Sequence, residues 1–71
     1  MLVTLVALIC NASLCMEKVV TDSNISGITM ASCAMNGQIG IADWLAHGPY
    51  RDWRLERYKC VAGHYEPKRE V

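Results

Sequence analysis

The sequence lacks most of the features that announce a chemistry. It carries no excess charge of either sign, since seven Lys and Arg balance seven Asp and Glu, whereas a nucleic-acid-binding domain normally shows a clear basic surplus. No apolar run approaches the roughly 20 residues that a membrane-spanning helix needs; the first, LVTLVALI at residues 2–9, is far shorter. There is no Cys-x-x-Cys pair of the kind that lowers one thiol's pKa at a helix start. There is also no repeated pair of closely spaced cysteines for structural zinc, the interval between Cys60 and His64 standing alone. A phosphate-cradling glycine loop is missing too. Redox-dithiol, zinc-module and nucleotide chemistry are thus disfavoured, and no cofactor or metal is expected.

The opening apolar run superficially matches the hydrophobic part of a secretory signal. No Lys or Arg precedes it, however, and no small-x-small cleavage site follows. It reads instead as a buried first strand rich in Leu, Val and Ile, and export by a removable signal is not expected. Asn11-Ala12-Ser13 and Asn24-Ile25-Ser26 fit the glycosylation pattern, which short sequences meet often by chance.

What the chain does have is cysteine: Cys10, Cys15, Cys33 and Cys60, spread over 71 residues. A chain of this length makes one domain, and its buried fraction on folding is small enough that crosslinks matter. Four cysteines allow three pairings, which the sequence leaves open. The expected arrangement is Cys10 with Cys60 and Cys15 with Cys33, because each bond then links two predicted elements. Closing the longer loop would contribute roughly 4 kcal/mol through the entropy of the unfolded chain.

Along the chain, a turn at Asn11 to Leu14 separates the first strand from a second at Cys15 to Thr21, where Val19 and Val20 favour extended structure. Asp22 to Gly27 reads as a loop. Met30 to Leu45 has helical character, with Ser32 as the expected N-cap and Ala34, Gln38, Ile41 and Leu45 near one face, Trp44 lying beside Ile41. Ile41, Trp44 and Leu45 are therefore the expected packing residues. Gly37 and Gly40 interrupt the pattern and suit a close approach, and Gly48-Pro49 ends the helix after His47.

A final strand runs from Trp53 to Val61. Trp53 and Leu55 share one parity and Tyr58 and Cys60 the other, so a bulge or a change in burial near Arg57 is expected to reconcile them. The order strand, strand, helix, strand predicts an α+β fold, a small two-layer β-β-α-β sandwich stabilised by disulfides. Residues 1–63 form its single compact domain, and 64–71 a polar C-terminal tail. A lone helix covers one face of a three-stranded sheet, which leaves the other face for solvent-compatible residues or a partner.

Charge is uneven along the chain. Residues 51–71 hold six of the seven basic residues, and Arg51, Trp53, Arg54, Arg57, Tyr58 and Lys59 form the candidate interaction surface, on which exposed aromatics would stack on bases. Asp52 and Glu56 interrupt it, so nucleic-acid binding is the weaker reading. His47, with Asp43 one turn before it, invites a catalytic role; an imidazole at a helix C-terminus more simply meets free carbonyls and the helix dipole. A Cys–His nucleophile needs a free thiol, which disulfides remove. No catalytic residues are assigned and no enzyme is expected.

The apolar start, Cys10, Cys15-Met16-Glu17, Cys33 followed by Gly37-Gln38, Ala42-Asp43-Trp44-Leu45, His47 and the closing Arg57-Tyr58-Lys59-Cys60 together resemble small uncharacterised cysteine-containing proteins of alphaproteobacteria and their phages. The resemblance spans about residues 2–61. Where those proteins look to have histidine directly before proline, this chain has His47-Gly48-Pro49. The resemblance implies a compact cysteine-containing module and carries no enzymatic chemistry onto any residue. The expected role is a non-enzymatic structural or assembly protein, a virion component that decorates or links neighbouring protein subunits or its own copies. A small periplasmic protein-binding module is the alternative. No small-molecule substrate and no membrane-spanning segment are expected.

Overall fold

A computed structural model describes residues 2–65 and shows a three-stranded antiparallel sheet with an 18-residue helix packed on one face. The elements run β1 (Val3–Asn11), β2 (Leu14–Asp22), α1 (Ser23–Ser26), α2 (Met30–His47) and β3 (Arg54–Ala62). The strand order is β2-β1-β3, so the most apolar strand sits in the centre and β2 and β3, both antiparallel to it, run parallel to each other. The fold is therefore α+β, with the β-β-α-β order read from the sequence. Residues 66–71 of the expected tail lie outside the described residues.

Each junction has a local cause. β1 and β2 close through the two residues Ala12 and Ser13, and Ala12 adopts a φ of 56°, a left-handed conformation costly for a residue with a Cβ. The expected loop at Asp22 to Gly27 contains the one-turn α1. Asp22 caps it by accepting from the Ile25 amide at 3.1 Å, and Gly27, at φ 69°, ends it. α2 begins one residue after Thr29, which is the N-cap in place of Ser32. Thr29 accepts from the Ser32 amide at 3.1 Å, while the Ser32 hydroxyl accepts from the Thr29 amide at 2.9 Å. Ser32 is thus the third residue of a reciprocal capping box. The helix is about 27 Å long at about 1.5 Å per residue and stops at Gly48.

Alternation along β1 sorts its side chains. Val3, Leu5, Ala7 and Ile9 face α2 and meet Cys33, Ile41 and Leu45 in the core. Thr4, Val6, Leu8 and Cys10 point to the opposite face. The helix presents Cys33, Gly37, Ile41 and Leu45 inwards. Ala34 and Gln38, expected on the packing face, are exposed, because a helix turned to seat Gly37 against Tyr58 and Leu5 carries positions 34 and 38 to its flank. A Cβ at position 37 would lie 2.8 Å from Tyr58 Cε2 and 3.3 Å from Leu5 Cδ1.

The register between β1 and β3 shifts between Leu8 and Ile9: Leu8 pairs with Arg57 and Ile9 with Leu55, leaving Glu56 extra. Of the two ways to reconcile the parities near Arg57 the strand takes the bulge, which returns Leu55, Tyr58 and Cys60 to one face against the core. A second shift lies between Leu5 and Val6, opposite Thr21 and Val19. Both edge strands are thereby irregular, which disfavours edge-to-edge pairing with another chain.

The disulfides join Cys10 to Cys15 and Cys33 to Cys60, not Cys10 to Cys60 and Cys15 to Cys33. Side-chain direction decides this. Cys10 and Cys15 are direct partners across the β1–β2 ladder and point away from α2. Cys60 pairs with Leu5 on the helix-covered face, where Cys33 lies in the core. One bond closes the hairpin and the other fastens α2 to β3.

Candidate functional site

Because of the β3 bulge and the alternation of its strand, the basic aromatic segment is divided between the two faces. Tyr58 packs against the core on the α2 side, its hydroxyl donating to the Ala34 carbonyl at 3.1 Å. Trp53 is half-buried in a cluster with Tyr50 and Trp44. The Trp44 and Tyr50 rings stack with centroids 5.6 Å apart, and Tyr50 meets Trp53 edge-on at 5.9 Å, both favourable arrangements for aromatic pairs. Lys18 caps that cluster with its ammonium 5.3 Å from the Tyr50 centroid, within range of a cation–π attraction. Arg57 and Lys59, opposite Leu8 and Val6, lie on the other face. Arg51 is exposed in the connecting loop, and Arg54 is exposed with Glu56 3.7 Å away. The six residues do not make one stacking platform.

The face away from α2 is organised around a network that links all three strands. Glu17 and Lys59 flank β1 and form an ion pair at 3.2 Å. The Tyr65 hydroxyl donates to Glu17 Oε1 at 2.6 Å and accepts from Lys59 Nζ at 2.8 Å. The Lys59 ammonium also lies 4.3 Å from the Tyr65 ring centroid. These groups roof the middle of the face, leaving Val6 1% exposed. The hydrogen bond to Tyr65, and after it the one to Glu17, hold the Lys59 pKa above the ordinary lysine value. Beside the roof is an open cavity of about 240 Å³ lined by Val6, Leu8, Glu17, Arg57, Tyr58 and Lys59. The sheet face is thus covered by the chain's own polar side chains, the solvent-compatible one of the two alternatives left open for it.

Apolar surface appears instead on the outside of α2. Met35 is 79% and Ile39 71% exposed, and with the exposed Ala31, Ala42 and Ala46 they recur at helical spacing on the side turned away from the sheet. The only ionisable side chains on the whole helix are Asp43 and His47, and neither falls in this stripe. Both sit in the exposed last turns, where His47 Nδ1 donates to the Asp43 carbonyl at 2.9 Å and lies 3.2 Å from Asp43 Oδ1. All four cysteines are bonded, so none offers a nucleophile to His47. Among the described residues no group of three or more His, Cys, Asp and Glu is placed to hold a metal, and no helix is long and apolar enough to cross a membrane.

Of these features, the stripe was open to sequence reasoning, since Ala31, Met35, Ile39, Ala42 and Ala46 follow each other by four, four, three and four. The Glu17–Tyr65–Lys59 network had no local signal, because its members come together only through strand register. No protein-family model, curated protein or solved structure matches the chain.

Proposed function

We propose that the chain is a non-enzymatic structural or assembly protein, a small disulfide-stabilised building block that packs the outer face of α2 against neighbouring copies in a larger particle. The carrying observation is the stripe around Met35 and Ile39. A helix bordering solvent normally turns charged and polar residues outwards, while one that is apolar on both sides is buried; α2 is apolar inwards at Ile41 and Leu45 and outwards at Met35 and Ile39. Burying the outer stripe between copies adds stability that a domain of this size lacks. A virion is the setting we favour, since a block clamped at its hairpin and between helix and sheet suits a part held by many neighbours.

A small periplasmic protein-binding module is the second reading. It is favoured by the use of every cysteine in a disulfide, the state typical of oxidising compartments.

Sedimentation equilibrium over a range of protein concentrations tests the first reading. The wild-type chain is expected to populate species heavier than its 7.9 kDa monomer, and the M35E/I39E variant to remain monomeric with an unchanged far-UV spectrum. A wild-type monomer at every concentration, or self-association that survives the double substitution, overturns it.

A further inference from the structure

We propose that the cavity on the sheet face opposite α2 is a docking pocket for a partner-protein segment that carries a leucine-sized apolar side chain next to a carboxylate. The proposal deepens the reading of the chain as an association module, but uses a face that α2 does not touch. Half-buried Leu8 supplies the accessible apolar floor above the buried Val6, Glu17, Lys59 and Arg57 supply the polar rim, and Tyr58 completes the lining. The volume, about 240 Å³, lies below the roughly 300–1,000 Å³ of pockets that enclose drug-sized ligands and suits one side chain.

Charge complementarity selects the neighbour of that side chain. Leu8 has Glu17 opposite it on β2 and Arg57 opposite it on β3. Adjacent strands lie about 4.8 Å apart, so the two charges rise on either side of the floor. Glu17 is already engaged by Lys59 and by the Tyr65 hydroxyl, and Lys59 by both of these. Arg57 is exposed, and its side chain makes no hydrogen bond or ion pair among the described residues. The cation left to receive a ligand is thus a planar guanidinium, whose paired donors fit a carboxylate. An apolar side chain enters over Leu8, and the neighbouring Asp or Glu of the same segment meets Arg57.

Titration of the isotope-labelled full chain with the capped dipeptide N-acetyl-Leu-Glu-amide, followed by amide chemical shifts, tests this. Saturable shifts are expected at Leu8, Glu17 and Arg57 at millimolar peptide, as befits a single side-chain anchor. Replacing the peptide's Glu by Gln, or Arg57→Gln in the protein, is expected to weaken binding about fivefold, the upper range of one exposed ion pair. Replacing the peptide's Leu by Ala is expected to weaken it as well. Three results overturn the proposal: no saturable shift at these residues, equal affinity of wild type and R57Q, or decanoate binding at least as tightly as the peptide, which would identify a lipid carboxylate as the ligand. The α2 variant M35E/I39E keeps this pocket. Loss of self-association with retained peptide binding, or the reverse, therefore tells which of the two surfaces has failed.

Discussion

Gly37 and Gly40 lie one turn apart on α2, and their replacement by alanine is expected to move stability in opposite directions. In a helix interior, Gly→Ala is worth about 1 kcal/mol in favour of alanine. At Gly40 nothing lies within 4 Å of the added Cβ, so that gain should appear undiminished. At Gly37 the Cβ would fall 2.8 Å from Tyr58 Cε2, 3.2 Å from Tyr58 Cδ2 and 3.3 Å from Leu5 Cδ1. The Tyr58 ring has little room to yield, because its hydroxyl is bonded to the Ala34 carbonyl one turn before Gly37. Overpacking a core costs about 1–3 kcal/mol, which outweighs the propensity gain and leaves Gly37→Ala less stable by about 1 kcal/mol. The two variants should therefore differ by about 2 kcal/mol, or about 8–16 °C in Tm for a domain of this size. Urea and thermal unfolding of both, under nonreducing conditions, reads the difference directly. Two stabilised variants, or a Gly37→Ala protein as stable as wild type, would refute the close approach of α2 to the sheet.

The two disulfides should contribute unequally: Cys33–Cys60, spanning 27 positions, about 3.6 kcal/mol, and Cys10–Cys15, spanning 5, about 2 kcal/mol on the chain-entropy relation. Urea unfolding of C33A/C60A and C10A/C15A checks this, and equal or reversed losses would contradict the assigned pairing. Lys59, whose folded pKa is raised by Tyr65 and Glu17, contributes stability that is fully present below the ordinary lysine pKa and lost as the pH rises through the raised one. Tyr65→Phe should lower the Lys59 pKa measured from its side-chain NMR shifts; an unchanged value would disprove the Lys59–Tyr65 bond.

Much of the fold was legible because its signals are local. The β-branched run of β1 and the Val19-Val20 pair of β2 mark strands, and Gly48-Pro49 marks the end of α2. The β3 irregularity was legible in part: Leu55 and Tyr58 cannot share a face of a regular strand, which requires a bulge or a change in burial, and the register at Leu8 and Ile9 decides for the bulge. The helix phase was harder. Ala34-Gln38-Ile41-Leu45 and Cys33-Gly37-Ile41-Leu45 both satisfy helical spacing, and only the contacts of Gly37 with Tyr58 and Leu5 choose between them. The N-cap was misplaced for a related reason: Thr29 and Ser32 both suit the position, and their reciprocal bonds put the cap at Thr29. For the candidate surfaces, whether solvent-compatible residues or a partner would cover the second sheet face was not legible, because Glu17, Lys59 and Tyr65, far apart in sequence, converge there only in the folded chain.

The sequence by itself determined the order and type of the main elements, along with the need for a bulge or a change in burial near Arg57 and the value of crosslinks in so short a chain. These follow from periodicity and turn chemistry, which act over a few residues. Only the tertiary structure decided which cysteines bond, which side of α2 is buried, and that among the described residues the Arg57 side chain rather than that of Lys59 stands uncommitted beside the cavity. Each of those depends on which face of the sheet a side chain takes. That is set by register against a central β1 and shifted by the bulges, a relation between distant segments that no local pattern encodes.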